Sequence, residues 1–165
     1  MTQFDKNANN ALEAAEIEAS PALKAALGDM DTDANGQLTK AEIVGGLELF
    51  SASRVGLINP SCVVQLNGKP LAGAIVRLIP ERFLGELIEP AEGVTDETGT
   101  AVPSVPASSL PNDRMRGIRL GFYRVEISRP SNGNESVPVR YNTQSTLGLF
   151  VPPDSPDTFR FDLSG

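Results

Sequence analysis

The spacing of apolar residues changes once along this chain, and the change falls near residue 60. Before it, apolar positions recur at helical spacing. Leu23 and Leu27 lie four apart on one face, with Ser20 placed to cap their helix, Pro21 at its first position and Gly28 to stop it. Residues 43–50 predict a second helix, kept short by the Gly45-Gly46 pair. Residues 51–60 carry small side chains, end in Pro60 and read as a linker.

From Ser61 the period shortens to that of strands. Residues 62–66 and 74–79 predict two strands around the turn Asn67-Gly68-Lys69-Pro70, with Pro80 stopping the second. Residues 81–92 read as a loop with apolar patches, 93–95 and 100–102 as strand segments flanking the turn Asp96-Glu97-Thr98-Gly99. Residues 103–118 are rich in Pro and Ser and then basic. Residues 121–127 alternate, with Tyr123, Val125 and Ile127 on one face and Phe122 on the other. A turn at 131–134 and strands at 146–151 and 158–163 follow. About seven short strands separated by turns predict an antiparallel β-sandwich. The expected fold class is therefore α plus all-β in two domains: helical residues 1–50, a linker at 51–60, and a sandwich at 61–165.

The helical half holds a pattern with chemical content. In Asp31-Thr32-Asp33-Ala34-Asn35-Gly36-Gln37-Leu38-Thr39-Lys40-Ala41-Glu42, oxygen-bearing side chains fall at places one, three, five, nine and twelve. A hard divalent cation takes six to eight oxygen ligands, and a short loop must curl round it to supply them. Asp31, Asp33 and Asn35 would give side-chain oxygens, Gln37 its carbonyl, Thr39 a direct or water-mediated contact, and Glu42 both carboxylate oxygens. Gly36 allows the positive φ of the sharp turn. The pattern repeats 26 residues upstream with Asp5, Asn7, Asn9, the carbonyl of Ala11, Glu13 and Glu16. There Asn10 stands at the glycine place and Asn7 replaces an acid, so weaker binding is expected. Leu12 and Leu38, at equivalent places, should pair across a two-stranded ribbon. The implied cofactor is Ca2+.

Charge agrees with this division. The net charge is −7, and residues 1–50 hold nine acids against three bases. No basic block suggests nucleic acid as a partner. The chain has no histidine, which removes the commonest general base and the usual zinc ligand, along with any Ser-His-Asp arrangement. Cys62, the single cysteine, lies in an apolar run and reads as a core residue. No stretch is long and apolar enough to span a membrane.

Residues 4–50 resemble the EF-hand family in the compact, closely spaced form found in many secreted bacterial proteins. Only Met1 to Phe4 precede Asp5, so the first hand lacks most of an entering helix: the chain is a fragment of a longer protein, or this is a half-hand. Residues 60–163 resemble the carboxypeptidase regulatory-like domain, a transthyretin-like (prealbumin-like) Greek-key sandwich. The matching residues are Asn67-Gly68-Lys69-Pro70-Leu71-Ala72-Gly73-Ala74, Val94-Thr95-Asp96-Glu97-Thr98-Gly99 and Gly121-Phe122-Tyr123-Arg124-Val125, with the closing runs Val137-Pro138-Val139-Arg140-Tyr141, Ser145-Thr146-Leu147 and Phe159-Arg160-Phe161-Asp162-Leu163. The resemblance implies a non-catalytic structural or adhesive module of bacterial extracytoplasmic type, secreted or surface-exposed, although no signal peptide is visible.

Other candidates carry less. Glu86 with Glu89, and Asp96 with Glu97, read as solvated turn acids rather than catalytic pairs. Arg114, Arg116 and Arg119 could meet an anionic glycan or an acidic protein face, but read more simply as an exposed loop. Lys69 sits in a hairpin turn, which argues against an internal Lys–Asn bond. The expected function is a calcium-binding structural or adhesion-type protein, with a glycan- or protein-binding module, or the accessory domain of a hydrolase, as alternatives.

Overall fold

The computed structural model describes residues 4–53, 56–82, 88–110, 115–131 and 134–165, with backbone alone at 49–53. Within these residues the protein is a β-rich α+β fold whose sheets are mostly antiparallel and whose α-helices number three. In the helical segment, β1 (Ala11–Leu12), α1 (Ala14–Ile17) and α2 (Pro21–Met30) precede β2 (Leu38–Thr39) and α3 (Lys40–Ser53). The β region holds β3 (Ser61–Leu66), β4 (Lys69–Pro70), β5 (Ile75–Pro80), β6 (Ala91–Val94) and β7 (Thr100–Ala101). It continues with β8 (Gly121–Ser128), β9 (Pro130–Ser131), β10 (Asn134–Glu135), β11 (Leu147–Val151) and β12 (Thr158–Leu163).

Two sheets enclose the larger core. One has the order β11-β8-β5-β6, antiparallel throughout; in the other, β12 lies on one side of β3 while β4 and β7 pair with β3 antiparallel. Strand β12 runs parallel to β3 from Thr158↔Ser61 to Leu163↔Leu66, so the expected all-antiparallel pairing does not hold at this edge. After β11 the chain changes sheets and enters beside β3 in the same direction, which a hairpin could not achieve. Val64, Val76, Leu78, Tyr123, Val125 and Ile127 are completely buried between the sheets. The Tyr123 phenol donates to the carbonyl of Arg119 at 2.7 Å, so its polar end is satisfied inside the core. Cys62 is buried here too, and burial pushes its thiol pKa up to about 12.

A second core lies on the far side of the β11-β8-β5-β6 sheet. Leu12, Ile17, Leu23, Met30 and Leu38 of the helical segment pack there with Phe122 and Phe150 of the sheet. Alternation along β8 therefore buries both faces: Tyr123 enters one core and Phe122 the other. The Phe122 and Phe150 rings lie 4.7 Å apart between centroids, tilted by 40°. Helix α2 rests on them through its fully buried Ala22 and Ala26, whose small size permits a close approach. At its start, a Cβ on Gly148 of β11 would lie only 1.8 Å from the carbonyl oxygen of Pro21. Glycine at 148 is thus required by the docking of this helix.

Several boundaries differ from the sequence expectation. Helix α2 passes through Gly28, which faces open space, and ends at Met30. Asp31 then leaves the helical region while its amide still donates to Leu27. Helix α3 runs fourteen residues to Ser53, into the expected linker, rather than fraying at its glycines. The physical reason is packing: a Cβ on Gly46 would lie 2.5 Å from Cε of Met30, so glycine lets α3 approach α2. Farther on, Ile58 forms an isolated antiparallel bridge with Ile118. Pro80 closes β5 as its last residue instead of standing outside it. Phe83, Leu84, Leu87, Glu86 and Arg114 lie outside the described residues, as does the centre of the 131–134 turn, whose flanks form the β9–β10 hairpin.

Phe122→Ala should cost about 3–5 kcal/mol, the usual range for deleting a buried aromatic ring. Because Phe122 belongs to the core that joins α2 to the sheet, far-UV signals from helix and sheet should be lost in a single denaturant transition with a lowered midpoint. A helical transition separating from an unshifted sheet transition would contradict this packing.

Candidate metal centre

Both twelve-residue loops adopt one local design. In the second, Asp31 accepts from the amides of Asn35 (3.1 Å) and Gly36 (2.7 Å). In the first, Asp5 accepts from Asn9 (3.2 Å) and Asn10 (3.0 Å) at the same places. The amide at place seven donates to the side chain at place five in each loop: Gln37 to Asn35 at 2.8 Å, Ala11 to Asn9 at 2.9 Å. Short Asp and Asn side chains make these turns because their oxygens reach backbone amides a few residues on. The loops then meet through the ribbon, where Leu12 faces Leu38 in register and both are buried, as their places predict.

The last acid closes each loop from a helix. Glu42, in the first turn of α3, accepts from the amide and hydroxyl of Thr39 through Oε2, at 2.9 and 2.8 Å. Its Oε1 accepts from the amide and hydroxyl of Thr32, at 2.9 and 3.0 Å. Glu16 does the same with fewer donors, taking the amides of Lys6 (2.8 Å) and Glu13 (3.1 Å). The Thr39 amide, then its hydroxyl, then Thr32 hold the Glu42 carboxyl down to a pKa of about 2, against an ordinary 4.5. Glu16 is lowered as well, first by the Glu13 amide and then by that of Lys6.

This brings the carboxylates together. One ligand oxygen from each of Asp31, Asp33 and Glu42 lies within 4.8 Å of the other two. Asn35 joins them, its side-chain amide donating to Asp33 at 2.9 Å, and Thr39 touches Glu42 directly. Gln37 stands just before the ribbon. In the first loop Asp5 and Asn7 converge on the amide of Asn9, while Asn9 itself is tied to Glu13 at 2.9 Å. Ala11 occupies the ribbon position opposite Thr39. The first loop contributes no comparable trio of acids among the described residues. Donors of this kind, all oxygen and half of them carboxylates, fit a hard divalent cation and not a soft one.

Two features escaped the sequence reading. Thr32 was not among the candidate residues, yet it supplies half of the donors to Glu42; its position beside the first ligand was the only available signal. The second is backbone geometry. Gly36 (φ +78°) and Asn10 (φ +66°) have the expected left-handed conformation, but so do Ala34 (φ +56°) and Ala8 (φ +58°) two residues earlier. Alanine gives no sequence signal for that conformation. The other candidates stay apart from this centre: Arg116 and Arg119 are exposed in a different loop, and Asp96 turns its own chain by accepting from Thr98 and Thr100. No protein-family model and no curated protein sequence matches the chain.

Two outcomes test this geometry. Because Glu42 titrates below its ordinary value, its carboxylate stabilises the fold fully above pH 4.5, and that contribution is lost as pH falls toward about 2. NMR titration should place the Glu42 carboxyl midpoint near the lower value in the folded protein and higher in Thr39→Val, which loses the hydroxyl donor but keeps the amide at 39 and both Thr32 donors. Ala34→Gly, measured with chelator present, should raise stability by about 0.5–1 kcal/mol, since a left-handed conformation costs alanine more than glycine. A lowered denaturant midpoint in that variant would refute the assignment of strain there.

Proposed function

We propose that this protein binds calcium through an EF-hand pair in residues 4–53 and uses it to hold the helical segment on the β region. The single observation that carries this reading is the approach of Asp31, Asp33 and Glu42 oxygens within 4.8 Å. Backbone amides and hydroxyls hold these carboxylates close together in a segment already rich in negative charge. Asp31, Asp33, Asn35, Gln37, Thr39 and Glu42 would hold the tighter ion. Asp5, Asn7, Asn9, Ala11, Glu13 and Glu16 would hold a weaker one. A bound divalent cation supplies the positive charge that offsets repulsion among these carboxylates.

The chain's own residues would transmit that ordering. Asp31 is at once the first acid of the second loop and the residue that ends α2, and α2 lies on Phe122 and Phe150. Ordering the loop therefore fixes the end of the helix that docks on the sheet. For the β region we propose a transthyretin-like sandwich of the carboxypeptidase regulatory-like type, supported by the two sheets that share one core. We read it as structural or adhesive and without chemistry of its own: the chain has no histidine, and its one thiol is buried with a raised pKa. The same reading places the protein outside the cytoplasm, where calcium is abundant enough for structural sites with Kd of roughly 10⁻⁴–10⁻³ M.

Calorimetric titration of the chelator-treated protein should show calcium binding in two phases. Glu42→Gln should remove the tighter phase and Glu16→Gln the weaker. Calcium at about 100 Kd should add roughly 2.7 kcal/mol of stability per site. Absence of heat in the intact protein, or unchanged heat after Glu42→Gln, would end the calcium reading.

A further inference from the structure

Beside the N-terminus of α2, the helical segment and the sheet leave a cleft of about 390 Å³. Phe4, Pro21, Ile79 and Pro80 supply apolar wall, and Arg82 and Arg124 supply positive charge. In a chain of net charge −7 whose helical half carries most of the excess acid, two arginines at one cleft are a local reversal of sign. The one lining carboxylate among the described residues, Glu81, already accepts a hydrogen bond from Ser20 at 2.9 Å. Helix α2 begins at this cleft with Pro21 in its first turn, so its positive end adds to the arginines.

Arg124 is incompletely partnered. One terminal nitrogen pairs with Glu126 at 3.1 Å, while its Nε is buried without an acceptor among the described residues and the rest of the side chain stays partly exposed. A buried donor on a charged group without a partner is rare enough in folded proteins to require an explanation. In register Arg124 lies between Ile79 of β5 and Gly148 of β11, where the backbone of Pro21 at the start of α2 fills the space a side chain would take, so the guanidinium stands at the edge of the docked helix. A planar guanidinium suits a carboxylate, with which it makes paired charge-assisted hydrogen bonds. The volume falls within the range of small-molecule sites, and the exposed lining is more polar than apolar, which suits a ligand carrying a charged group.

We propose that this cleft binds an organic carboxylate with an apolar body, the carboxylate on Arg124 and Arg82 and the body against Phe4, Pro21, Ile79 and Pro80. The ligand is either a free monocarboxylic acid or the C-terminal carboxylate of a peptide; both present the same group. None of its residues belongs to either loop, and because calcium is proposed to hold the helical segment in place the test is run at constant calcium.

The experiment is a titration of the full chain, at constant calcium, with phenylacetate, with its neutral analogue 2-phenylethanol, and with a short peptide ending in Phe, either as free acid or amide. Phenylacetate or the free-acid peptide should give a saturable isotherm, the tighter of the two identifying the source of the carboxylate. The neutral alcohol and the amide should not. Arg124→Gln should weaken binding by about tenfold or more, as expected for loss of a charge-assisted pair. Arg82→Gln, at an exposed position, provides a second variant should Arg124→Gln fold poorly, and should also weaken binding. Arg160→Gln, exposed on β12, should leave it unchanged. Failure of both acids to saturate, equal binding of the neutral analogues, or full affinity in a folded Arg82→Gln or Arg124→Gln variant would overturn the proposal.

Discussion

The packing of α2 on Phe122 and Phe150 is the contact on which the rest of the architecture depends. Without it the helical segment loses the two aromatic rings its core closes on, and the sheet exposes them on its outer face. With it, Leu12 and Leu38 of the loop ribbon, Ile17 of α1 and Met30 of α2 enter one core with the sheet. Burial of a large apolar side chain contributes about 1.5–3 kcal/mol, so two phenylalanines are a substantial share of the attachment. The contact is also sterically exact in one place, because Gly148 leaves room for the carbonyl of Pro21 and for nothing larger.

The outer face of that sheet is divided. At one end lie Phe122, Phe150 and Ile79, under or beside the helical segment. At the other, Arg77 stands in register with both Glu92 and Glu126, and pairs with Glu92 at 2.9 Å. These half-exposed pairs contribute little stability, but they mark where coverage stops. Arg124 stands on the boundary, one register step from the charged row and next to the apolar end. Its position explains both its single ion pair and its place in the cleft.

Much of this was legible in the sequence, for identifiable reasons. Loop acids recur at fixed places because Asp and Asn must reach backbone amides at fixed separations, so Asp31, Asp33, Asn35 and Glu42 could be named together. Leu12 and Leu38 could be paired because a ribbon joins equivalent places. Ser20 and Pro21 announced a helix start, and the side chain of Ser20 does accept from Leu23. What stayed hidden depends on distant partners. Gly28, Gly45 and Gly46 read as helix breakers; only their surroundings show that one faces solvent and another admits Met30. Phe122 and Tyr123 were assigned opposite faces, but a single strand could not reveal that both faces are buried. The parallel approach of β12 to β3 is likewise invisible to local periodicity, which carries no direction.

The double duty of β8 has a consequence for the order in which the molecule is built. Residues 4–53 leave the ribosome before β8 and β11, yet their core needs Phe122 and Phe150. At about 5–20 residues per second, roughly 5–20 s separate synthesis of α3 from that of β11. During that interval the acidic segment has its loops and capping residues but no surface on which to close. The helical segment, though made before the strands it packs on, is therefore finished only after them.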